Sequence, residues 1–217
     1  MGIVGGNHPE KSILPGDAEL MERFGVSRTV LREAMKTLSG KGLIQAKARI
    51  GTRVRPRSDW NLFDADVLIW HARNGFDADF LTYLGEMRLA LEPEAAALAA
   101  QRRTPLQLQH LYSWVEKMGA DDVSAAEFVR ADLNFHLAVA GAAANPFLRS
   151  ISTLIEVALV AMLTISSPIE DPTEHAQSVS AHRAIADAIA RRDADKAREA
   201  MRVVIGQGIE RRERRRG

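Results

Sequence analysis

Asp132 and His136 stand four residues apart in a stretch of helical periodicity, so their side chains project from one face about a turn apart. A carboxylate and an imidazole at that spacing can chelate a divalent metal ion, and can equally hydrogen-bond to each other inside a core. Phe128, Leu133, Phe135 and Val139 surround the pair, which marks the helix as buried. His182 lies on a later helical stretch, with Ile185 and Ile189 following at inward spacing. Arg88 sits among Leu84, Met87, Leu89 and Leu91. A partly buried guanidinium needs an anion. Glu92 at i+4 or a neighbouring helix can supply it.

A second group of residues suits a different chemistry. Ser27 is a natural N-cap, and Arg28, Thr29, Arg32 and Lys36 fall on the polar side of the helix it opens, opposite Val30, Ala34 and Leu38. Basic side chains on one helix face can contact phosphates and base edges.

The elements that must position these groups are legible from punctuation and periodicity. Leu14-Pro15-Gly16 is a turn, Asp17 is read as an N-cap, and residues 18–24 form a short helix ended by Gly25. A second helix follows over 29–39. Residues 41–46 and 51–55 read as two strands joined by a basic loop through Lys47 and Arg49. Helix, tight turn, helix and hairpin make a winged helix-turn-helix over residues 1–57. Residues 58–65 read as a linker. Residues 66–217 carry almost no strand signal, and helices are expected over 66–73, 79–102, 105–119, 124–142, 146–166, 173–191 and 194–211. The fold class is therefore mainly α: a winged head and an antiparallel helical bundle. The Arg-rich tail, Arg211 to Arg216, reads as a frayed, solvated helix end.

The stretch LPGDAELMERFGVSRTVLREAMKTLSGKGLIQAKARIGTRV resembles the DNA-binding domain of GntR-family transcriptional regulators, with Gly25 to Ala34 carrying the signature. The resemblance implies that Arg28 and Arg32 meet bases or phosphates in the major groove of double-stranded operator DNA. It implies that Ser27 and Thr29 hold phosphates at the helix start, and that Gly51 and Thr52 sit at the wing. It also implies a full helix before the Pro-Gly turn. Gly2-Ile3-Val4-Gly5-Gly6 resembles only the tail of such a helix, so a truncated first helix is expected.

The body is similar to the FCD ligand-binding domain of the FadR subfamily, through Arg88-Leu-Ala-Leu-Glu92-Pro, Asp132-Leu-Asn-Phe-His136 and His182 with Ile185-Ala-Asp-Ala-Ile189. That resemblance implies a divalent metal (zinc, nickel or similar) held by one Asp and three His. Asp132, His136 and His182 match; Val204 stands where the third His is expected. Either the metal is absent, or three protein ligands leave positions for water or an effector carboxylate. His175 is the candidate substitute, in a stretch read as solvated. The resemblance further implies that Arg88 binds a small carboxylate effector. The head and linker look most like the galactonate-type, sugar-acid-responsive regulators, which points to an aldonic acid, and a homodimer is implied.

Composition bounds the alternatives. Cysteine is absent, which excludes disulfides and thiolate metal sites. No apolar run could span a bilayer and no signal peptide is evident, so a cytoplasmic, non-membrane location is expected. The net charge of +1 hides a split: 11 Lys/Arg against 6 Asp/Glu in residues 1–59, but 13 against 21 in residues 60–210. A basic head on an acidic body fits a polyanion-binding module joined to something else. A small helical metalloenzyme would leave the DNA motif unexplained and shows no acid/base residue near its three ligands. A regulator that dimerises without binding DNA stays open at this level.

Overall fold

The computed structural model describes residues 2–75, 78–150 and 152–215. The chain divides into two compact units, residues 1–75 and 76–217.

The first unit opens with α1 (Asp17–Phe24) and α2 (Arg28–Gly40). Gly16, not Asp17, is the N-cap of α1, and it supplies no side-chain bond; Asp17 is the first helical residue, where its charge still suits the positive helix end. Gly25 ends α1 at φ 61°, a left-handed turn that costs glycine little. The Ser27 side chain then accepts from the Val30 N–H, as an N-cap should. Next come β1 (Ile44–Lys47) and β2 (Gly51–Val54), an antiparallel pair with Ile44 opposite Val54. Gly42, at φ 80°, lets the chain pass against the next segment: a β-carbon there would collide with the Asp59 carbonyl oxygen.

This unit continues past the stretch read as a linker. Trp60 is buried and donates to the Arg55 carbonyl, and α3 (Ala65–Arg73) adds Val67 to the core of Ile3, Val4, Leu14, Leu43, Ile44 and Val54. Asp64 caps α3 and bonds Lys41 at 2.6 Å; Lys41 also meets Asp66 at 2.8 Å and lies over the Trp70 ring. Helix α3 thus packs with the winged motif, because its apolar face and its capping carboxylate both have their partners there.

The second unit holds α4 (Ala78–Arg102), α5 (Pro105–Met118), α6 (Ala125–Ala142), α7 (Pro146–Ser150), α8 (Ser152–Ile165), α9 (Pro172–Ala190) and α10 (Ala194–Arg214). Thr104–Gln107 and Ser124–Glu127 form capping boxes that start α5 and α6. Asp171 and Asp193 cap α9 and α10. Helix α4 packs against α6, α8, α9 and α10. Its run of Ala95, Ala96, Ala99 and Ala100, all buried, permits that close approach. Phe128, Phe135, Leu111, Met118, Ile185, Ile189 and Met201 fill the core. Helix α10 does not fray at Arg211; it runs on to Arg214, and Arg211 and Arg212 are buried. Among the described residues, no helix is long and apolar enough to cross a membrane.

Candidate functional site

Around the middle of α4 the bundle buries a connected group of charged and imidazole side chains from α4, α6 and α9. Arg88 and Glu92, one turn apart, form a buried pair with Nε 2.5 Å from Oε1. Glu92 Oε2 lies 2.5 Å from His136 Nδ1. From there His136 Nε2 faces Asp132 Oδ2 at 3.9 Å, and Asp132 Oδ1 faces His182 Nε2 at 3.1 Å. All five side chains are buried. Phe135 sets its ring edge-on against both imidazoles, which stand perpendicular to each other.

Proton placement follows from the partners. His182 Nδ1 lies 2.7 Å from the Ser178 carbonyl. A carbonyl can only accept, so Nδ1 carries a proton, and Nε2 is the ring atom turned toward Asp132. Glu92 does the same for His136 by facing Nδ1, which leaves Nε2 toward Asp132. This is the carboxylate- or carbonyl-oriented imidazole expected behind a metal ligand. Burial pushes the Glu92 carboxyl up, but the Arg88 charge and His136 outweigh it and hold the group at about 2. Asp132 is likewise raised by burial and lowered more by His182, His136 and Arg88, so it too stays ionised.

Asp132, His136 and His182 each offer one ligand atom, and those atoms lie within 4.8 Å of one another. Asp132 Oδ2, His136 Nε2 and His182 Nε2 make no hydrogen bond. Buried acceptors aimed at a common point are costly unless a cation satisfies them, so this donor set fits a divalent metal. Val204, where a further histidine was expected, is buried in the apolar core. His175 is not a substitute: its Nε2 meets the Met118 carbonyl at 2.7 Å and its ring packs on Phe128. Sequence reasoning placed Glu92 only as an ion-pair partner of Arg88. The pairing is there, but the other carboxylate oxygen also reaches His136, a contact between helices that spacing along one helix could not reveal.

In the first unit, α2 presents Ser27, Arg28, Thr29, Arg32 and Lys36 to solvent. Arg28, Arg32 and Lys36 have no ion-pair partner among the described residues. The hairpin turns through Ala48, Arg49 and Ile50, all exposed, with Arg49 at φ 65°. Gly51 opens β2 opposite Lys47, and the Thr52 carbonyl accepts from the Leu14 N–H, which ties the hairpin to the segment before α1. The apolar stripe of the helix pair is less covered than its pattern suggests. Leu20 and Leu31 are buried, while Phe24 and Val30 are more than half exposed on a groove that Leu14 and Met35 also line.

Comparison with known proteins matches both units. Residues 1–54 fit the model of bacterial regulatory proteins of the gntR family, and residues 83–207 fit the FCD domain. A transcriptional regulator of Escherichia coli K12, YieP, is 35% identical over 94% of this chain and 87% of its own length. The galactonate operon transcriptional repressor of the same organism is 34% identical over 96% of this chain and 91% of its own. The transcriptional repressor NanR of Cronobacter sakazakii is 32% identical over 87% of this chain and 72% of its own. Among solved structures, Streptococcus agalactiae GntR superposes with a TM-score of 0.54 at 28% identity, covering 97% of this chain and 94% of that one.

Proposed function

Because the chain belongs to the GntR family of bacterial regulatory proteins and its body is an FCD domain, we propose that it is a homodimeric repressor of a sugar-acid catabolic operon, released from its operator when the acid binds in the bundle. The family consists of ligand-responsive DNA-binding transcriptional regulators, not enzymes. The proposed step lies in the effector and in the residues that serve each end.

At the DNA end, Arg28 and Arg32 contact bases or phosphates in the major groove. Ser27 and Thr29 hold phosphates at the N-terminus of α2, where backbone N–H groups point outward. Gly51 and Thr52 shape the wing beside them. Two copies of the chain would present two such helices to a near-palindromic operator.

At the effector end, the observation that carries the reading is the buried Asp132–His136–His182 cluster, with Glu92 and Arg88 behind it. These three ligands would hold a zinc, nickel or similar ion, which supplies a Lewis-acid anchor for a carboxylate when bound. Glu92 fixes the His136 ring, and Arg88 neutralises Glu92. An acid that reaches Arg88 competes with Glu92 for its guanidinium, so ligand binding and helix packing would be coupled at that residue. The relative that represses the galactonate operon supports an aldonic or related hydroxy acid as the effector class.

The test is a gel shift with the DNA upstream of the protein's own gene, titrated with D-galactonate and other aldonic acids. Retardation that one of these acids abolishes supports the reading. Retardation that none of them alters removes the sugar-acid effector, and no retardation at all removes operator binding.

A further inference from the structure

Lys41 is the next cation along the chain after Arg28, Arg32 and Lys36, and it is placed differently. Those three are exposed, with no ion-pair partner among the described residues. The Lys41 side chain is 13% exposed and is answered twice, by Asp64 Oδ1 at 2.6 Å and Asp66 Oδ2 at 2.8 Å. Its ammonium also lies 5.7 Å from the centre of the Trp70 ring. A cation so occupied is not free to meet a phosphate, so the DNA-contacting role of α2 does not account for it.

Lys41 is the C-cap of α2, and three links bind that helix end to the chain leading into α3. The Asn61 N–H donates to the Lys41 carbonyl at 3.0 Å. Gly42 passes so close to the Asp59 carbonyl oxygen that a β-carbon would not fit. The ammonium holds Asp64 by Oδ1, the same oxygen that accepts from the Asp66 and Val67 N–H groups at the start of α3. One carboxylate oxygen therefore serves both the cap of α3 and its tie to α2. Leu43, Trp60 and Val67, buried in one cluster, close this joint from the core side. Along the chain, only residues 74–77 separate α3 from α4, the helix that carries Arg88 and Glu92.

We propose that Lys41 is a positioning residue that locks the DNA-contacting helix α2 to α3, so that a displacement of α3 reaches the operator as a displacement of α2. This role rests on the sugar-acid reading above and names the joint at which the head receives the signal. Apolar packing is non-directional and would let α3 slide over the core of the head. Charge-assisted hydrogen bonds are short and directional. The paired carboxylates of Asp64 and Asp66 hold the Lys41 ammonium from two sides, so the joint passes a shift on instead of absorbing it.

The experiment measures operator affinity of the zinc-loaded full chain by fluorescence anisotropy, with and without D-galactonate or D-gluconate. The wild type is compared with Lys41→Met, Lys41→Arg and Asp66→Asn, and acid binding to the DNA-free proteins is followed by calorimetry. In the wild type the acid should weaken operator binding by about 5–150-fold. In Lys41→Met the affinities with and without acid should become nearly equal, while calorimetry shows the acid still bound. Lys41→Arg keeps the charge and should restore the release. A merely structural role would lower both affinities by one factor and leave their ratio unchanged. Asp66, whose side chain is 59% exposed, gives a milder variant should Lys41→Met not fold: Asp66→Asn removes one of the two ion pairs and should give an intermediate ratio. Variants that the acid releases as fully as the wild type overturn the role of Lys41 and leave the sugar-acid reading standing. A wild type that neither acid releases overturns both.

Discussion

The two units use arginine in opposite ways. In the head, Arg28 and Arg32 are exposed on α2 with no ion-pair partner among the described residues. In the body, Arg88 and Arg211 are buried, one against a carboxylate and one against a carbonyl. An exposed guanidinium keeps its hydration and costs the fold nothing, so it is available for a polyanion and is sensitive to salt. A buried one must be answered inside the protein or by a ligand, so it links charge balance to packing. The difference teaches which region can be altered without unfolding the chain: the exposed face of α2 can, and the middle of α4 cannot.

The largest effect expected from breaking that contrast is at Glu92. Glu92→Ala removes the buried carboxylate that meets both Arg88 and His136, and thermal or denaturant unfolding should show a loss of about 3–5 kcal/mol. The milder Glu92→Gln removes the orienting charge behind His136, and metal affinity should fall about 10–100-fold by chelator competition. The pH dependence has a definite sign. A carboxyl lowered from 4.5 to about 2 stabilises the fold fully above pH 4.5 and loses that contribution as pH falls toward 2. The stability gap between wild type and Glu92→Gln should close over that window; a gap that stays constant would show that the charge of Glu92 is not what matters.

Next in size is Arg32→Ala. Operator affinity should drop by about 1–3 kcal/mol in fluorescence anisotropy at fixed salt, with stability and acid binding unchanged. An unchanged affinity would remove α2 as the reading helix. The smallest effect belongs to the wing. Arg49→Ala should weaken all DNA sequences alike and reduce the slope of log affinity against log salt by about one. A change confined to one operator base would instead give Arg49 a base contact.

The same contrast explains what the sequence made legible. Ser27 to Ala34 was readable because an N-cap, an apolar stripe and a basic face repeat within one helix. The i, i+4 pair Asp132–His136 was readable for the same reason, and so was the candidate partnership of Arg88 and Glu92. Contacts between elements were not. Glu92 reaches His136 from another helix, and Arg211 meets a carbonyl 45 positions away. A run of arginines with few apolar neighbours carries no local sign of burial, so Arg211 reads as tail. Helix α3 reads as part of the bundle because its pattern is helical; Lys41 and the head core claim it through contacts that composition does not record.

The central claim is that the body's ligand cluster governs the head's grip on DNA. It is tested most directly by operator affinity measured with and without D-galactonate, in the zinc-loaded wild type and in His136→Ala. Coupling between sites of this kind is typically about 5–150-fold. The account predicts that the acid weakens operator binding by a factor in that range in the wild type and leaves His136→Ala unaffected. Equal release of both proteins, or release of neither, would contradict it.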